Sequence, residues 1–305
     1  MKKRANNSRK IIKDNSFFYA YLVLIPSVIF LNVFAYYIRP QESGKPFFEV
    51  SKNLQQRPSK KTDWKKELTY SKRMSNHQNE IVFHGDRNKK QIALTFDADM
   101  TDGMAKRIKS GQVHSYYDRR LIEELRKLKT PATLFLSGKW VEMYPNETKD
   151  LATDPLFELG SHSYAHRSYT PSCYGLLPLE DAEKIQDIGT SQYLIQQYTG
   201  TRTKLFRFPG GCYSHKDLLL VKKAGMTTVQ WDTVADDGFN PYSDAILSSI
   251  IRRAKNGSII VMHMNGFPNE PFNYMVVPKA VSILREKGFE FVKVSKLLEN
   301  YDKIE

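Results

Sequence analysis

The sequence predicts an α/β protein in which parallel strands alternate with helices, and two patterns lead to this prediction. Beyond residue 80, seven short apolar runs are separated by longer amphipathic segments. Unusual polar residues also follow five of these runs, at the ends where parallel strands of α/β proteins carry their chemistry. Seven strands are too few for a standard eight-stranded barrel. The pattern therefore leaves two architectures open, a distorted and incomplete barrel or an open doubly wound sheet.

The predicted strands and helices alternate regularly along residues 81–305. Helical spacing of apolar residues is clearest at Leu121, Leu125 and Leu128, and it recurs at Ala182, Ile185 and Ile188. Further helical patterns cover residues 218–224, 246–251 and 281–284. The predicted strands are residues 92–96, 132–136, 157–160, 205–208, 227–231, 258–263 and 289–292.

Three segments are predicted before this domain. Residues 17–38 are 22 residues without a charge, enough for the ~20 that span a bilayer, with aromatic residues at both ends. Residues 1–16 carry six lysine or arginine residues and one acid, which predicts a cytoplasmic tail and an extracytoplasmic domain at residues 81–305. Residues 39–80 are polar and are predicted to form a stalk. A cleaved signal peptide is the alternative, but its apolar region is usually only ~7–15 residues long.

Composition narrows the class of partner. The 305 residues are 41% apolar, which suits one large core, and the formal net charge of +13 favours anionic surroundings. A single-pass anchor in the cell membrane would place the basic domain outside the cell, so nucleic acid is not expected as a partner. The two cysteines, Cys173 and Cys212, would lie on the same outer side, where they either form a disulfide or remain free thiols.

A pair of histidines indicates a metal site. His162 and His166 lie four residues apart, so both imidazoles can point the same way on a helical turn or on a loop that begins as one. Asp97 and Asp99 end an earlier apolar run and can supply a carboxylate ligand. Two nitrogen ligands and one oxygen ligand leave a coordination position open, as in catalytic sites. The alternative is a pair of hydrogen-bonded surface histidines without a metal.

The order and spacing of five motifs resemble the polysaccharide deacetylase family, carbohydrate esterase family four. The resemblance covers about residues 81–305, and it implies a distorted seven-stranded β/α barrel. The motifs are Thr95-Phe96-Asp97, His162-Ser163-Tyr164-Ala165-His166, Arg207-Phe208-Pro209-Gly210-Gly211, Trp231 with Asp237, and Val261-Met262-His263.

The resemblance implies two metal ligands and a general base. Asp97 would be the general base, and His162 and His166 would be metal ligands. The family has a second aspartate as a ligand directly after the base, where this chain has Ala98. We expect Asp99 to replace that ligand, with Asp102 as a poorer substitute.

Four further roles follow from the same resemblance. Arg207 would pair with Asp97, and the backbone N–H of Gly210 would stabilise an oxyanion. His263 would be the general acid, oriented by Asp237, although the neighbouring Asp236 is a competitor for that role.

Together these expectations describe a membrane-anchored hydrolase that removes acetyl groups from an N-acetylated glycan. Peptidoglycan is the favoured polymer, because a stalk on a cell membrane reaches it first. The cofactor would be a divalent metal, with Zn²⁺ favoured and Co²⁺ or Mn²⁺ as alternatives. One other reading is an impaired deacetylase fold that binds wall polymer or polyanion, since Ala98 breaks the ligand motif. Another is an esterase or amidohydrolase acting on a small exported metabolite.

Overall fold

The structure is a computed structural model that describes residues 81–265 and 273–299. Strands and helices alternate along these residues, and a short 3₁₀ turn covers Pro209–Gly211. In chain order the elements are β1 (Ile81–Val82), β2 (Gln91–Ala98), α1 (Asp102–Lys109), α2 (Arg119–Lys127), β3 (Ala132–Leu136), α3 (Gly138–Met143), α4 (Pro145–Thr153), β4 (Phe157–Ser161), α5 (Asp181–Thr199), β5 (Leu205–Phe206), α6 (His215–Lys223), β6 (Thr227–Val229), β7 (Thr233–Val234), α7 (Ser243–Arg253), β8 (Ile259–His263), α8 (Asn273–Glu286), β9 (Glu290–Phe291) and α9 (Val294–Leu297).

The strands form one curled parallel sheet in the order β1-β6-β5-β4-β3-β2-β8-β7, with β9 paired to the start of β2. Strands β2 to β6 follow one another in a single direction, as they do in a barrel, rather than reversing at a switch point. Within the described residues β1 and β7 end the order and are not paired with each other, so the barrel is incomplete. The prediction of a distorted barrel is confirmed. All seven predicted strands are present, and the two-residue strands β1 and β7 were not predicted.

Alternation along β2 decides which side chains enter the barrel. Leu94, Phe96 and Ala98 belong to the core between the sheet and the helices. Ala93 belongs to a second, smaller core with Phe135 of β3, so the odd-numbered residues of β2 face the other side of the sheet. Asp97 is therefore directed away from the helices and into the barrel.

Helix α5 has the predicted location but not the predicted buried face. Ala182 and Ile185 are exposed, whereas Lys184 and Asp187 are buried beside Ile188. The apolar spacing was misleading because Lys184 and Asp187 have polar partners inside the protein, described below.

The predicted tail, membrane helix and stalk at residues 1–16, 17–38 and 39–80 lie outside the described residues. No helix in the described part of the chain is long and apolar enough to span a membrane. Cys173 and Cys212 form a disulfide with a Cα–Cα distance of 6.1 Å, which links the loop after β4 to the loop after β5. Of the two states left open for the cysteines, the structure therefore has the bonded one.

Candidate active site

Strand register brings the predicted site residues together at the carboxyl end of the sheet. Asp97 of β2 is aligned with His263 of β8, and Ser161 of β4 is aligned with Phe206 of β5. His162 and Arg207, each one residue further on, therefore emerge side by side. All parallel strands end at the same edge, so residues distant in sequence meet there.

Asp99, His162 and His166 form a cluster with the composition of a metal site. Asp99 Oδ1 lies 3.4 Å from His162 Nε2 and 3.2 Å from His166 Nε2. The three ligand atoms lie within 4.8 Å of one another. Asp102, the poorer substitute, instead forms an ion pair with Lys139 at 2.7 Å. The structure thus brings together the three residues predicted as metal ligands.

Two features of the chain direct Asp99 into this cluster. It follows Asp97 by two residues, which keeps it on the same side of the extended chain, while Ala98 packs in the core. Asn265 then holds the Asp99 backbone on both sides: its Oδ1 accepts from Asp99 N, and its Nδ2 donates to Asp99 O, both at 2.8 Å. Sequence reasoning missed Asn265, although it lies only two residues after His263.

The hydrogen bonds around the cluster suit a bound cation. His162 Nδ1 lies 2.9 Å from the backbone oxygen of Arg207, which can only accept, so Nδ1 carries the proton and Nε2 of the neutral ring has a free lone pair. Asp99 Oδ1 and His166 Nδ1 are buried and lack hydrogen-bond partners among the described residues. A cation between the three ligand atoms would satisfy Asp99 Oδ1. The residues present therefore fit a divalent metal.

The charge states of Asp99 and His166 agree with this fit. Burial raises the pKa of Asp99, but the nearby imidazoles of His166, His162 and His263 outweigh it and hold the pKa well below its usual range. Burial lowers the pKa of His166 to about 4, with His162 and His263 adding to the shift. An ionised carboxylate and a neutral imidazole are the forms that bind metal. Burial lowers the pKa of His162, but the carboxylates of Asp97 and Asp99 outweigh it and raise the pKa, so a metal at Nε2 would compete with a proton.

The two histidines lie on an irregular loop rather than on a helical turn. Ser163 and His166 have φ of 64° and 51°, in the left-handed region that non-glycine residues rarely adopt. Asp187 of α5 holds this loop: its Oδ1 accepts from Tyr164 N at 3.0 Å and from Tyr169 Oη at 2.7 Å. Sequence reasoning also missed Asp187, which no motif marks.

Arg207 holds the predicted base. It is fully buried, and its Nη1 donates to Asp97 Oδ1 at 2.7 Å and to Thr95 Oγ1 at 2.8 Å. Burial lowers the pKa of Arg207, yet arginine starts so high that it remains charged. The other oxygen, Asp97 Oδ2, lies 3.7 Å from His162 Nε2 and so faces the metal cluster.

His263, the predicted acid, is held by Asp237. His263 Nδ1 donates to Asp237 Oδ1 at 3.1 Å, and Asp237 Oδ2 accepts from His263 N at 2.6 Å and from Asn273 Nδ2 at 2.7 Å. Burial lowers the pKa of His263, but the carboxylates of Asp237, Asp99 and Asp97 outweigh it and raise the pKa to about 10. Asp236 turns away to Ser249 and Arg253, so it does not compete for His263.

The loop after β5 has room only for glycine at Gly210. Its φ is +62°, and a Cβ there would lie 2.6 Å from Cys173 Sγ. The structure thus places Gly210 against the disulfide, and its role as an oxyanion donor stays a prediction.

Comparison with known proteins agrees with this geometry. Residues 84–229 match the family model described as polysaccharide deacetylase. The resemblance to the polysaccharide deacetylase family is confirmed over these residues. The expectation of a hydrolase of this deacetylase class is thereby confirmed.

Several family members resemble this chain over most of the described region. A peptidoglycan-N-acetylglucosamine deacetylase from Bacillus cereus is 28% identical over 220 residues, which cover 72% of this chain and 92% of that protein. The solved structure of the peptidoglycan deacetylase PdaC from Bacillus subtilis is 25% identical, with a TM-score of 0.55, covering 72% of this chain and 94% of that chain. A CE4 family pseudoenzyme from Bacillus anthracis shares the fold at 22% identity, with a TM-score of 0.57, covering 71% of this chain and 68% of that one.

Proposed function

We propose that this polysaccharide deacetylase is a metal-dependent enzyme that removes acetyl groups from N-acetylated sugars of a cell-wall polysaccharide. The observation that carries the proposal is the meeting of three units at one sheet edge: the Asp99–His162–His166 cluster, the Arg207–Asp97 pair and the Asp237–His263 pair. Peptidoglycan is the favoured polymer, because similar proteins from Bacillus cereus and Bacillus subtilis are named as peptidoglycan deacetylases.

Each unit has a chemical task in amide hydrolysis. Asp99, His162 and His166 would hold a divalent metal, with Zn²⁺ favoured for two imidazoles and a carboxylate and with Co²⁺ or Mn²⁺ as alternatives. When bound, it would supply polarisation of the acetyl carbonyl and a lowered pKa of water in the site. Asp97 takes a proton from the attacking water through Oδ2, while Arg207 keeps Oδ1 occupied. The Gly210 N–H stabilises the developing oxyanion, a contribution of ~3 kcal/mol in acyl-transfer sites.

His263 completes the reaction on the leaving group. Its Nδ1 is occupied by Asp237, so the proton on Nε2 is the one available to the sugar nitrogen. As the carbon–nitrogen bond breaks, that proton converts the poor amide leaving group into a neutral amine. The products are acetate and a free amino sugar.

We also propose that residues 17–38 anchor the enzyme in the cell membrane, with residues 1–16 in the cytoplasm and the domain outside. Support comes from the uncharged 22-residue run and the six cations before it. Protease added to intact cells should remove the domain and leave a small membrane stub. A domain that stays protected until lysis would refute this topology.

A non-catalytic function has one observation in its favour, the alanine at position 98 where the family has a ligand. A protein of this kind would bind wall polymer through its basic surface, and the fold it shares with a pseudoenzyme shows that the fold alone does not decide activity. The intact Arg207–Asp97 and Asp237–His263 pairs favour catalysis, because a binding surface does not need a base and an acid that are each held by a buried charged partner.

The deciding experiment separates metal binding from chemistry in the full-length protein. Acetate release from peptidoglycan and from N-acetylglucosamine oligomers is measured beside a calorimetric zinc titration. Asp99→Ala should lose zinc affinity and activity together. Asp97→Asn should keep the metal and slow acetate release by about 10² or more, as loss of a general base does.

Asp102→Ala is the matched control, since Asp102 pairs with Lys139 outside the cluster. It should leave both zinc binding and acetate release unchanged. If Asp99→Ala binds zinc and releases acetate like the parent, Asp99 is not a ligand. If the parent binds no metal and releases no acetate from either glycan, the non-catalytic function replaces the proposed one.

A further inference from the structure

We propose that Tyr174 and Phe239 form a sugar-stacking subsite beside the reaction centre. This aromatic pair would bind a pyranose ring of the glycan next to the sugar that loses its acetyl group. The inference rests on the proposed function, because it names where the polymer extends from the site.

The aromatic pair is unusually open to solvent. Tyr174 is 73% exposed and Phe239 is 78% exposed, yet their ring centroids lie only 5.6 Å apart. The rings come from different loops, one after β4 and one after β7. Two aromatic side chains that meet across loops and still remain mostly exposed to water provide a ready apolar surface.

The turn that carries Tyr174 is held in an uncommon conformation. Tyr174 and Gly175 have φ of 49° and 76°, and Leu176 N donates to Cys173 O at 2.9 Å across the turn. A bulky residue in the left-handed region is rare and costs conformational energy. Cys173, the first residue of the turn, is covalently bound to Cys212. The ring is therefore presented by a pre-organised turn, which lowers the entropy cost of binding.

Phe239 is likewise presented by a fixed turn. Its backbone N–H donates to Asp236 O at 3.2 Å, and the Asp236 side chain is held by Ser249 and Arg253 at 2.8 Å each. Asp237, which orients His263, lies within the same turn. The position of Phe239 is thus tied to the position of the general acid.

Both rings lie next to the reaction centre. A Cβ added at Gly210 would lie 3.1 Å from Cδ2 of Tyr174, and one added at Gly238 would lie 3.1 Å from Cε1 of His263. Tyr174 therefore adjoins the predicted oxyanion glycine, and Phe239 directly follows the glycine that contacts the acid. The aromatic pair therefore borders two residues that the proposed reaction uses at the acetylated sugar, Gly210 and His263.

The size of the surface favours a sugar over a protein partner. Two aromatic side chains cover about 300–500 Å², below the ~800 Å² that each partner contributes to a stable protein interface. A pyranose ring has apolar C–H faces and polar hydroxyl edges. It can stack on such rings while its hydroxyls remain in water.

A comparison of an oligomeric substrate with a small one tests the subsite. Tyr174→Gly removes a ring while suiting the positive φ, and Phe239→Ala removes the other. Each variant should lower kcat/KM for N-acetylglucosamine oligomers by about tenfold, with kcat/KM for a small aryl acetate within twofold of the parent. Tyr193→Ala, which removes a partly exposed tyrosine on α5, should change neither value.

Oligomer binding by the Asp97→Asn variant, which is expected to be nearly inactive, tests the subsite without catalytic turnover. Calorimetry with the same oligomers should show affinity reduced about tenfold by Tyr174→Gly in that background. Equal oligomer affinity with and without the ring, or no oligomer binding at all, would overturn the subsite. Ring-dependent oligomer binding by a parent that releases no acetate would keep the subsite and refute deacetylation instead.

Discussion

At the scale of single residues, Asp99 owes its position to Asn265. Asn265→Ala removes both hydrogen bonds to the Asp99 backbone, so we expect zinc affinity to fall about 10- to 100-fold, the range typical of lost outer-shell partners. Zinc titration of the variant measures this effect. Asn256→Ala is a suitable control, because Asn256 Nδ2 donates to Arg87 O rather than to a site residue. Unchanged zinc affinity in Asn265→Ala would show that the strand end holds Asp99 without it.

Spacing allowed the reactive groups to be predicted, but not the residues that support them. His162 and His166 stand out because two imidazoles at a fixed interval match metal-ligand geometry. Asn265, Asp187 and Asn273 act through bonds to distant loops and strand ends. Such bonds leave no periodicity in the sequence, since any polar residue can make them once the fold brings it near.

At the scale of elements, a buried ion pair joins α5 to α6. Lys184 Nζ lies 3.0 Å from Asp217 Oδ1, and both side chains are buried. Lys184→Met leaves Asp217 without this partner, so we expect the free energy of unfolding to fall by about 1–3 kcal/mol. Chemical denaturation at pH 8 measures the loss. Lys223→Met, an exposed change on α6, should have little effect.

The same pair predicts a pH dependence of stability. Burial lowers the pKa of Lys184, but Asp181 and Asp217 outweigh it and raise the pKa above its ordinary value. A raised lysine pKa stabilises the fold fully below the unfolded pKa of about 10.4 and ceases to do so as pH rises through the folded pKa. The stability gap between the parent and Lys184→Met should therefore be constant up to about pH 10 and narrow above it. A gap that widens with alkali would contradict this sign.

Strands were easier to predict than the short helices around the site. Long apolar runs such as β2 and β8 are buried on both sides, so their sequences differ sharply from their surroundings. Helices α3 and α4 are only 6 and 9 residues long and contribute few apolar positions. The predicted buried face of α5 was wrong because Lys184 and Asp187 are buried there. Both are polar, so a search for regularly spaced apolar residues does not detect them.

At the scale of the whole molecule, the disulfide closes a large loop that includes Gly210. Cys173 and Cys212 are 39 residues apart, and loops of this size predict a stabilisation of about 2–4 kcal/mol. The double variant Cys173→Ser with Cys212→Ser should lose that much free energy of unfolding. Adding a reductant should destabilise the parent but not the variant. Equal stability of the parent with and without reductant, or two thiols open to alkylation, would contradict the prediction.

The sequence pattern of the strands could not show whether the sheet curls into a barrel or stays open. Alternating strands and helices are compatible with both a barrel and a doubly wound sheet, since each βαβ unit looks the same in either. Only the family resemblance selected the distorted barrel. The strand order of the structure decides between the two architectures. Strands β2 to β6 follow one another in one direction around the curled sheet, as in a barrel.

The burial of Ala98 limits how this enzyme can change by mutation. Restoring the family's aspartate with Ala98→Asp would place a carboxylate among Phe96, Met100 and Leu136, in a core without room or partners for a charge. The change should therefore destabilise the protein rather than add a second ligand, and thermal denaturation with zinc titration would show both effects. A single substitution at position 98 is therefore not expected to transfer the predicted ligand from position 99 to the position it has in the family.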